Sequence, residues 1–323
     1  MPAALGREEL SVPSRRKAWL WLALKLLIVA LVFWGVQQTF REALAETSRQ
    51  QWRVRPQWLI LSGLLYLAGL APCGWYWHRL LCRLGGRPTL GQTQRAYFIG
   101  HLGKYVPGKA RVIVLRAGLL RSQQVDLVLA SATVFLETLT TMAVGSLLAA
   151  GIVVAFREDW RLVGAALAMA AVTGLPVWPP LFRRVARLLR LGRANPLLIE
   201  RLAQLELRTI VAGWLGIAGG WLLIGLSLWA ARQSIGLSSE NFAADWARFT
   251  AAAALATVAG FLSFIPGGLG VRDAVLMQVL AMGSAEDAAA TALVSAVLLR
   301  LVWLVAELAI SAILYLARSK HKA

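Results

Sequence analysis

Apolar residues run almost without interruption through 18–38, 57–79, 127–155, 162–182, 209–231 and 286–317, and charged residues separate each run from the next. A run of about 20 apolar residues is long enough to cross the hydrocarbon of a bilayer as a helix. Six crossings are therefore predicted. The first follows Arg15, Arg16 and Lys17 without a small-residue cleavage pattern, so it reads as a retained helix and not a signal peptide.

Two further stretches, 90–120 and 245–283, are apolar but broken. Each has a helical run that ends in an aromatic residue, a β-branched residue and Pro-Gly: Tyr105-Val106-Pro107-Gly108 in one, Phe264-Ile265-Pro266-Gly267 in the other. An arginine follows each break, Arg111 or Arg272, and then a second short apolar run reaches Gly118 or Gly283. These features predict two helical hairpins, 90–121 and 246–283, that enter the bilayer and turn back. The breaks lie about half the chain apart, with three predicted crossings between them. An odd number of crossings places the hairpins on opposite faces, which is the arrangement of an inverted-topology repeat. The expected fold is an all-α integral membrane protein of about six transmembrane helices plus two re-entrant hairpins in a pseudo-twofold inverted repeat.

Composition agrees with a membrane domain: of 323 residues, 58% are hydrophobic and 15% charged, and the mean hydropathy is +0.63. Soluble domains carry about 25% charged residues. The net charge of +18 does not point to nucleic acid, because Lys and Arg fall between the apolar runs and not in one basic module. Positive residues concentrate on the cytoplasmic side of membrane proteins. The segments 80–126 and 183–208 are therefore expected inside, 157–161 and 232–248 outside, with Arg41, Arg49, Arg53 and Arg55 an exception on the outer side. The expected organisation is a cytoplasmic tail 1–17, a membrane domain 18–317 with a basic cytoplasmic linker 183–208, and a cytoplasmic tail 318–323. A cytoplasmic membrane, crossed several times with both termini inside, is the expected location. Trp19, Trp21, Trp34, Trp52, Trp58, Trp160, Trp178 and Trp246 suit an interfacial belt, and Lys25 snorkels. Cys73 and Cys82 share one apolar segment, and His78, His101 and His321 are scattered, so neither a disulfide framework nor a metal is expected.

A Pro-Gly break frees backbone amides, and the helix that restarts after it turns its positive end toward the gap. Lys104, Lys109 and Arg111 flank the first break and Arg272 the second, with Asp273 beside it. This predicts a site for an anion, most naturally a lipid phosphate. Within the spans, Glu137 sits among Thr138, Thr140 and Thr141, and Arg300 and Glu307 lie seven residues apart on one helical face. A Glu137–Arg300 ion pair is expected to tie the halves together or to form a polar step for a headgroup, and Glu137 or Glu307 is the carboxylate available for proton coupling. Gly216 and Gly220, and Gly145 with Ala149, have the spacing of helix contacts. There is no Walker A loop, zinc-protease motif or GxSxG elbow, so neither ATP-driven transport nor catalysis is expected.

GKYVPGKAR (103–111) and FIPGGLGVRDA (264–274), with Arg300 in the last span, resemble the lysylphosphatidylglycerol synthase transmembrane-region family over residues 18–317. The resemblance implies re-entrant helices, pseudo-twofold halves and an association with moving aminoacylated phosphatidylglycerol between leaflets. Carried over, the candidate headgroup-binding residues are Lys104, Pro107, Gly108, Lys109 and Arg111, then Pro266, Gly267, Gly268, Gly270, Arg272 and Asp273. The chain departs from the family in having Asp273 where Glu is frequent and Ala110 where an aromatic is common. It extends six residues past its last span, so synthase activity is not expected. The expected function is a lipid flippase or translocase without cofactors, with membrane phospholipid as partner. The alternatives are a lipid-binding subunit that recruits a cytoplasmic enzyme through 183–208, and a lipid-modifying transferase. A second copy of the chain is a further partner class.

Overall fold

A computed structural model describes residues 54–105, 110–120, 125–156, 160–178, 206–237, 241–268, 270–281 and 288–319, with 180, 181 and 184. The expected first crossing, both tails and most of the linker 183–208 lie outside these residues. The described residues form nine helices: α1 (Pro56–Arg83), α2 (Leu90–His101), α3 (Ala110–Leu120), α4 (Leu127–Ala155), α5 (Trp160–Gly174), α6 (Leu207–Gln233), α7 (Phe242–Leu262), α8 (Val271–Ala281) and α9 (Ala288–Ser319). No strand occurs among them. Five segments are long and apolar enough to cross a membrane: Pro56–Arg83, Leu127–Ala155, Trp160–Val177, Leu207–Gln233 and Ala290–Ala317. They correspond to the five predicted crossings after the first.

Local chemistry sets several helix starts. Pro56 occupies the first turn of α1, where its missing N–H costs nothing. Thr89 and Gln92 form a reciprocal capping box on α2. Asp126 accepts the Leu129 N–H at 2.6 Å and Asn241 the Ala244 N–H at 3.2 Å, which caps α4 and α7.

The helix order repeats. A long helix, a broken pair and a long helix (α1, α2–α3, α4) recur as α6, α7–α8, α9. The packing recurs as well: α1 meets α2 and α4 as α6 meets α7 and α9, and across the halves α2 meets α9 as α7 meets α4. The two leading helices, α1 and α6, pack on each other along their length. The repeat is unequal in one respect. The first arm α2 has 12 residues, whereas α7 has 21, a rise of about 31 Å that matches a hydrocarbon core in length.

Glycines set the α1–α6 distance. A Cβ on Gly69 would lie 2.7 Å from the Gly220 carbonyl oxygen, and Gly213 faces the Tyr76 ring. Gly145 of α4 similarly receives the Trp221 indole, at 2.6 Å from a Cβ position. Lipid tails are as apolar as leucine, so helices associate in a bilayer through such close packing and not through burial from water. The spacing Gly216-Gly220 thus serves contacts inside the chain, with Gly216 facing Pro72. The alanines 251–254 let α7 sit equally close to its neighbours, and all four are buried.

Replacing Gly69 with Leu should force α1 and α6 apart and lower the melting temperature of the detergent-purified protein, at a cost of about 1–3 kcal/mol or more. A methyl at Gly219 meets nothing within 4 Å, so Gly219→Ala should leave the melting temperature unchanged or raise it. Equal melting temperatures for Gly69→Leu and wild type would remove the glycine contact as the feature that fixes this crossing.

Candidate functional site

Arg300, Trp303 and Glu307 of α9 follow one another at three and four residues, so they stand on one helical face. That face meets both breaks. Glu307 is 1% exposed, and its Oε1 accepts from the Tyr66 hydroxyl of α1 and from Lys104 Nζ at 2.5 Å. Lys104 belongs to the 3₁₀ turn Leu102–Tyr105 that ends the first arm. His101 Nε2 lies 3.0 Å from Lys104 Nζ and 3.6 Å from Glu307 Oε1. An ammonium can only donate, so that imidazole nitrogen accepts and His101 is neutral in this arrangement.

Trp303 stacks on Tyr66 with ring centroids 4.2 Å apart, and its indole N–H donates to Ser227 Oγ at 2.9 Å. The Arg272 guanidinium lies 4.2 Å from the Trp303 ring. It has no carboxylate partner among the described residues. Arg300 donates instead to Asp273 Oδ2, which also accepts the Gly270 N–H at 3.3 Å and so caps α8. The site therefore holds three cations, Lys104, Arg272 and Arg300, and two carboxylates. One positive charge is left over.

The two breaks touch. Gly267 faces the Tyr105 ring, with 3.4 Å from a Cβ position to Cδ1. The second turn is built on left-handed backbone: Gly267 has φ +63, Gly268 +66 and Gly270 +79, and Phe264 holds φ +59. The glycines adopt this without a steric penalty. At Gly268 a side chain is also excluded by space, since a Cβ would lie 2.8 Å from the Gly260 Cα. Lys104, His101, Arg300 and Asp273 are each about a fifth to a quarter exposed. Glu307 lies sealed behind them.

The expected Glu137–Arg300 pair does not form. Glu137 Oε2 accepts from Arg116 Nη1 at 2.9 Å and from Thr138, while Oε1 accepts from Tyr97 and Thr141 at 3.3 Å each. Arg116 lies 4.2 Å from the Tyr97 ring and 5.0 Å from that of Trp77. The reason is geometric: α4 packs on α3 and α7, α9 packs on α8 and α2, and each buried charge is neutralised by the broken pair beside it. Both side chains of the Arg116–Glu137 bridge are 3% exposed.

Of the residues expected at the site, Lys104, Gly267, Arg272, Asp273, Arg300 and Glu307 come together here. Pro266 begins the second turn. Gly268 and Gly270 shape that turn, Arg111 is exposed near the start of α3, and Pro107, Gly108 and Lys109 lie outside the described residues. Sequence reasoning missed Tyr66, His101, Tyr105 and Trp303. The spacing of Trp303 between Arg300 and Glu307 on one face was the available signal. The family described as Lysylphosphatidylglycerol synthase TM region matches residues 22–317, nearly the whole chain. A search of curated proteins returns no match.

Removing one partner of a buried ion pair leaves an uncompensated charge, at about 3–5 kcal/mol. Arg116→Met should therefore destabilise the protein by that order in thermal unfolding, and Arg116→Met with Glu137→Met should recover part of the loss. A reversed pair, Glu137→Arg with Arg300→Glu, should recover nothing. Recovery in the reversed pair would contradict the partners assigned here.

Proposed function

We propose, for a chain that belongs to the lysylphosphatidylglycerol synthase transmembrane-region family, that this multi-pass, lipid-related membrane protein is a lipid translocase. In this reading it moves a phospholipid with an anionic or aminoacylated headgroup between the leaflets of a bacterial inner membrane, and it is not an enzyme. The observation that carries the reading is the meeting of the two helix breaks at one half-open cluster whose cations outnumber its carboxylates by one. A headgroup crossing hydrocarbon needs a polar path, and non-helical backbone is tolerated at membrane depth where it lines such a path. Arg272 offers its guanidinium to a phosphate without first giving up a carboxylate. The face of α9 carries the remaining polar groups past both breaks.

The recurring packing of α1–α4 and α6–α9 supports two units related by a pseudo-twofold axis. Three candidate spans, α4, α5 and α6, separate the first broken pair from the second. The units are then inverted, and their broken pairs enter from opposite faces. Rocking of one unit against the other around the fixed cluster gives alternating access.

The test is leaflet exchange of fluorescent phosphatidylglycerol in vesicles that contain the purified protein. Wild type should accelerate exchange. Arg272→Ala should slow it about tenfold or more, the worth of one hydrogen bond to a charged group at about 1.5–3 kcal/mol. If wild type and the Pro266→Ala, Arg272→Ala double variant exchange lipid at the same rate, the reading fails.

A further inference from the structure

Two buried carboxylates lie within the described spans, and their surroundings differ in one respect that matters for protons. Both oxygens of Glu137 are occupied, Oε2 by Arg116 and Thr138, Oε1 by Tyr97 and Thr141. Glu307 places its contacts on Oε1 alone, from Tyr66 and Lys104. Its Oε2 is buried and has no partner among the described residues. Such an oxygen can take a proton without breaking any bond the carboxylate now makes.

The titratable groups at Glu307 are Tyr66 from α1, His101 from α2, and Lys104 and Tyr105 from the first turn; Arg272 of α8 and Arg300 of α9 in turn neighbour Lys104 and Tyr105. Asp273 is held by Arg300 and by the Gly270 amide, and Arg300 by Asp273. Arg272 and Lys104 are close enough to repel each other. An anion placed between them relieves that repulsion and draws the Lys104 ammonium away from Glu307. Glu307 then stands buried beside Tyr66, Tyr105 and the neutral His101 ring, with no cation bonded to it. A carboxylate in that position becomes neutral by protonation rather than remain charged.

Resting on the translocase reading, we propose that Glu307 is the proton carrier of the site. One proton adds to its carboxylate when a monoanionic phosphodiester headgroup replaces it as the partner of Lys104, and proton and headgroup move together. The proton comes from the aqueous phase on the side where the headgroup binds. It leaves on the other side when the phosphate departs and Lys104 returns to Glu307. No bond to the lipid forms or breaks. The net charge of the site is the same loaded and empty, so one anion and one proton cross without net charge.

The test uses full-length protein in phosphatidylcholine vesicles with trace fluorescent phosphatidylglycerol, under a pH gradient or a potassium diffusion potential. The steady leaflet distribution of the label should shift about tenfold for each pH unit of gradient, the free energy of one proton, and should not respond to the potential. Glu307→Gln should lose the pH response whatever its basal rate, and if that variant does not fold the wild-type response decides alone. Exchange in wild type that ignores the pH gradient, or follows the potential, overturns proton coupling and leaves translocation standing. If wild type exchanges nothing, translocation fails, and calorimetry of short-chain phosphatidylglycerol binding in buffers of different ionisation enthalpy decides the proton step. Uptake of about one proton per lipid supports it, and no uptake overturns it.

Discussion

Inside a bilayer no water is available to satisfy a freed amide or a charge, and an unsatisfied polar group there costs several kcal/mol. A helix break at that depth must therefore lie against protein that can answer it. Here both breaks are answered by one helix. The face of α9 that carries Arg300, Trp303 and Glu307 receives Asp273 and Arg272 from the second broken pair and Lys104 from the first. The same face continues to Ser311, whose hydroxyl donates to the Phe98 carbonyl at 3.3 Å, and Leu314, whose carbonyl accepts from Arg95 Nε at 2.9 Å. The contact of the two turns follows from their sharing this support. The close approach of α1 and α6 holds Tyr66 and Ser227 in place behind Trp303.

The two halves use charge to different ends. In the first, Glu137 and Arg116 are enclosed by aromatic rings and hydroxyls, with every carboxylate oxygen bonded. Burying such a pair yields little net stability, but losing either member is expensive, so the bridge fixes how α3 lies on α4. Where the two breaks meet, Arg272, Arg300, Asp273 and Glu307 of the second half balance one another, and Lys104 from the first half adds the charge left over at a partly open cluster. A closed pair organises the fold, and an unbalanced, partly exposed group can bind something. Position near a Pro-Gly break does not separate the two cases. Exposure and the local count of opposite charges do.

Much of the architecture was legible in the sequence because hydrocarbon imposes a length rule. The five described crossings after the first coincide with apolar runs, and the second break falls at Pro266-Gly267 as the sequence predicts. What could not be read is which helices become neighbours. Glu137 and Arg300 are the ion pair that composition suggests, yet they belong to α4 and α9, which serve different broken pairs. Arg116 looked like one more topogenic loop arginine until α3 was seen to carry it inward. His101 gave no signal at all, since its place beside Lys104 depends on a turn that only the packed structure defines. Trp303 and Glu307 were readable as a face, but what that face meets was not.

The two turns are held by different means, and that difference indicates which of them can yield. The second is fixed largely by its own backbone: Gly267, Gly268 and Gly270 are left-handed, Ser263 bridges the Gly260 carbonyl and the Ile265 amide, and Asp273 caps the helix that follows. Phe264 in the same left-handed region costs about 1–2 kcal/mol, which the surrounding packing must offset, so the turn is over-determined. The first turn packs Gly103 against the α3 backbone at Val112 and is tied to α9 by the Lys104 side chain on Glu307. A backbone turn has no competitor for its own hydrogen bonds, whereas an ammonium held by a carboxylate can be claimed by another anion. On the translocase reading, a phosphate at Arg272 competes for that ammonium directly. On that reading, binding of the headgroup and release of the Lys104 tether are one event, and the attachment that yields is the one the ligand can replace.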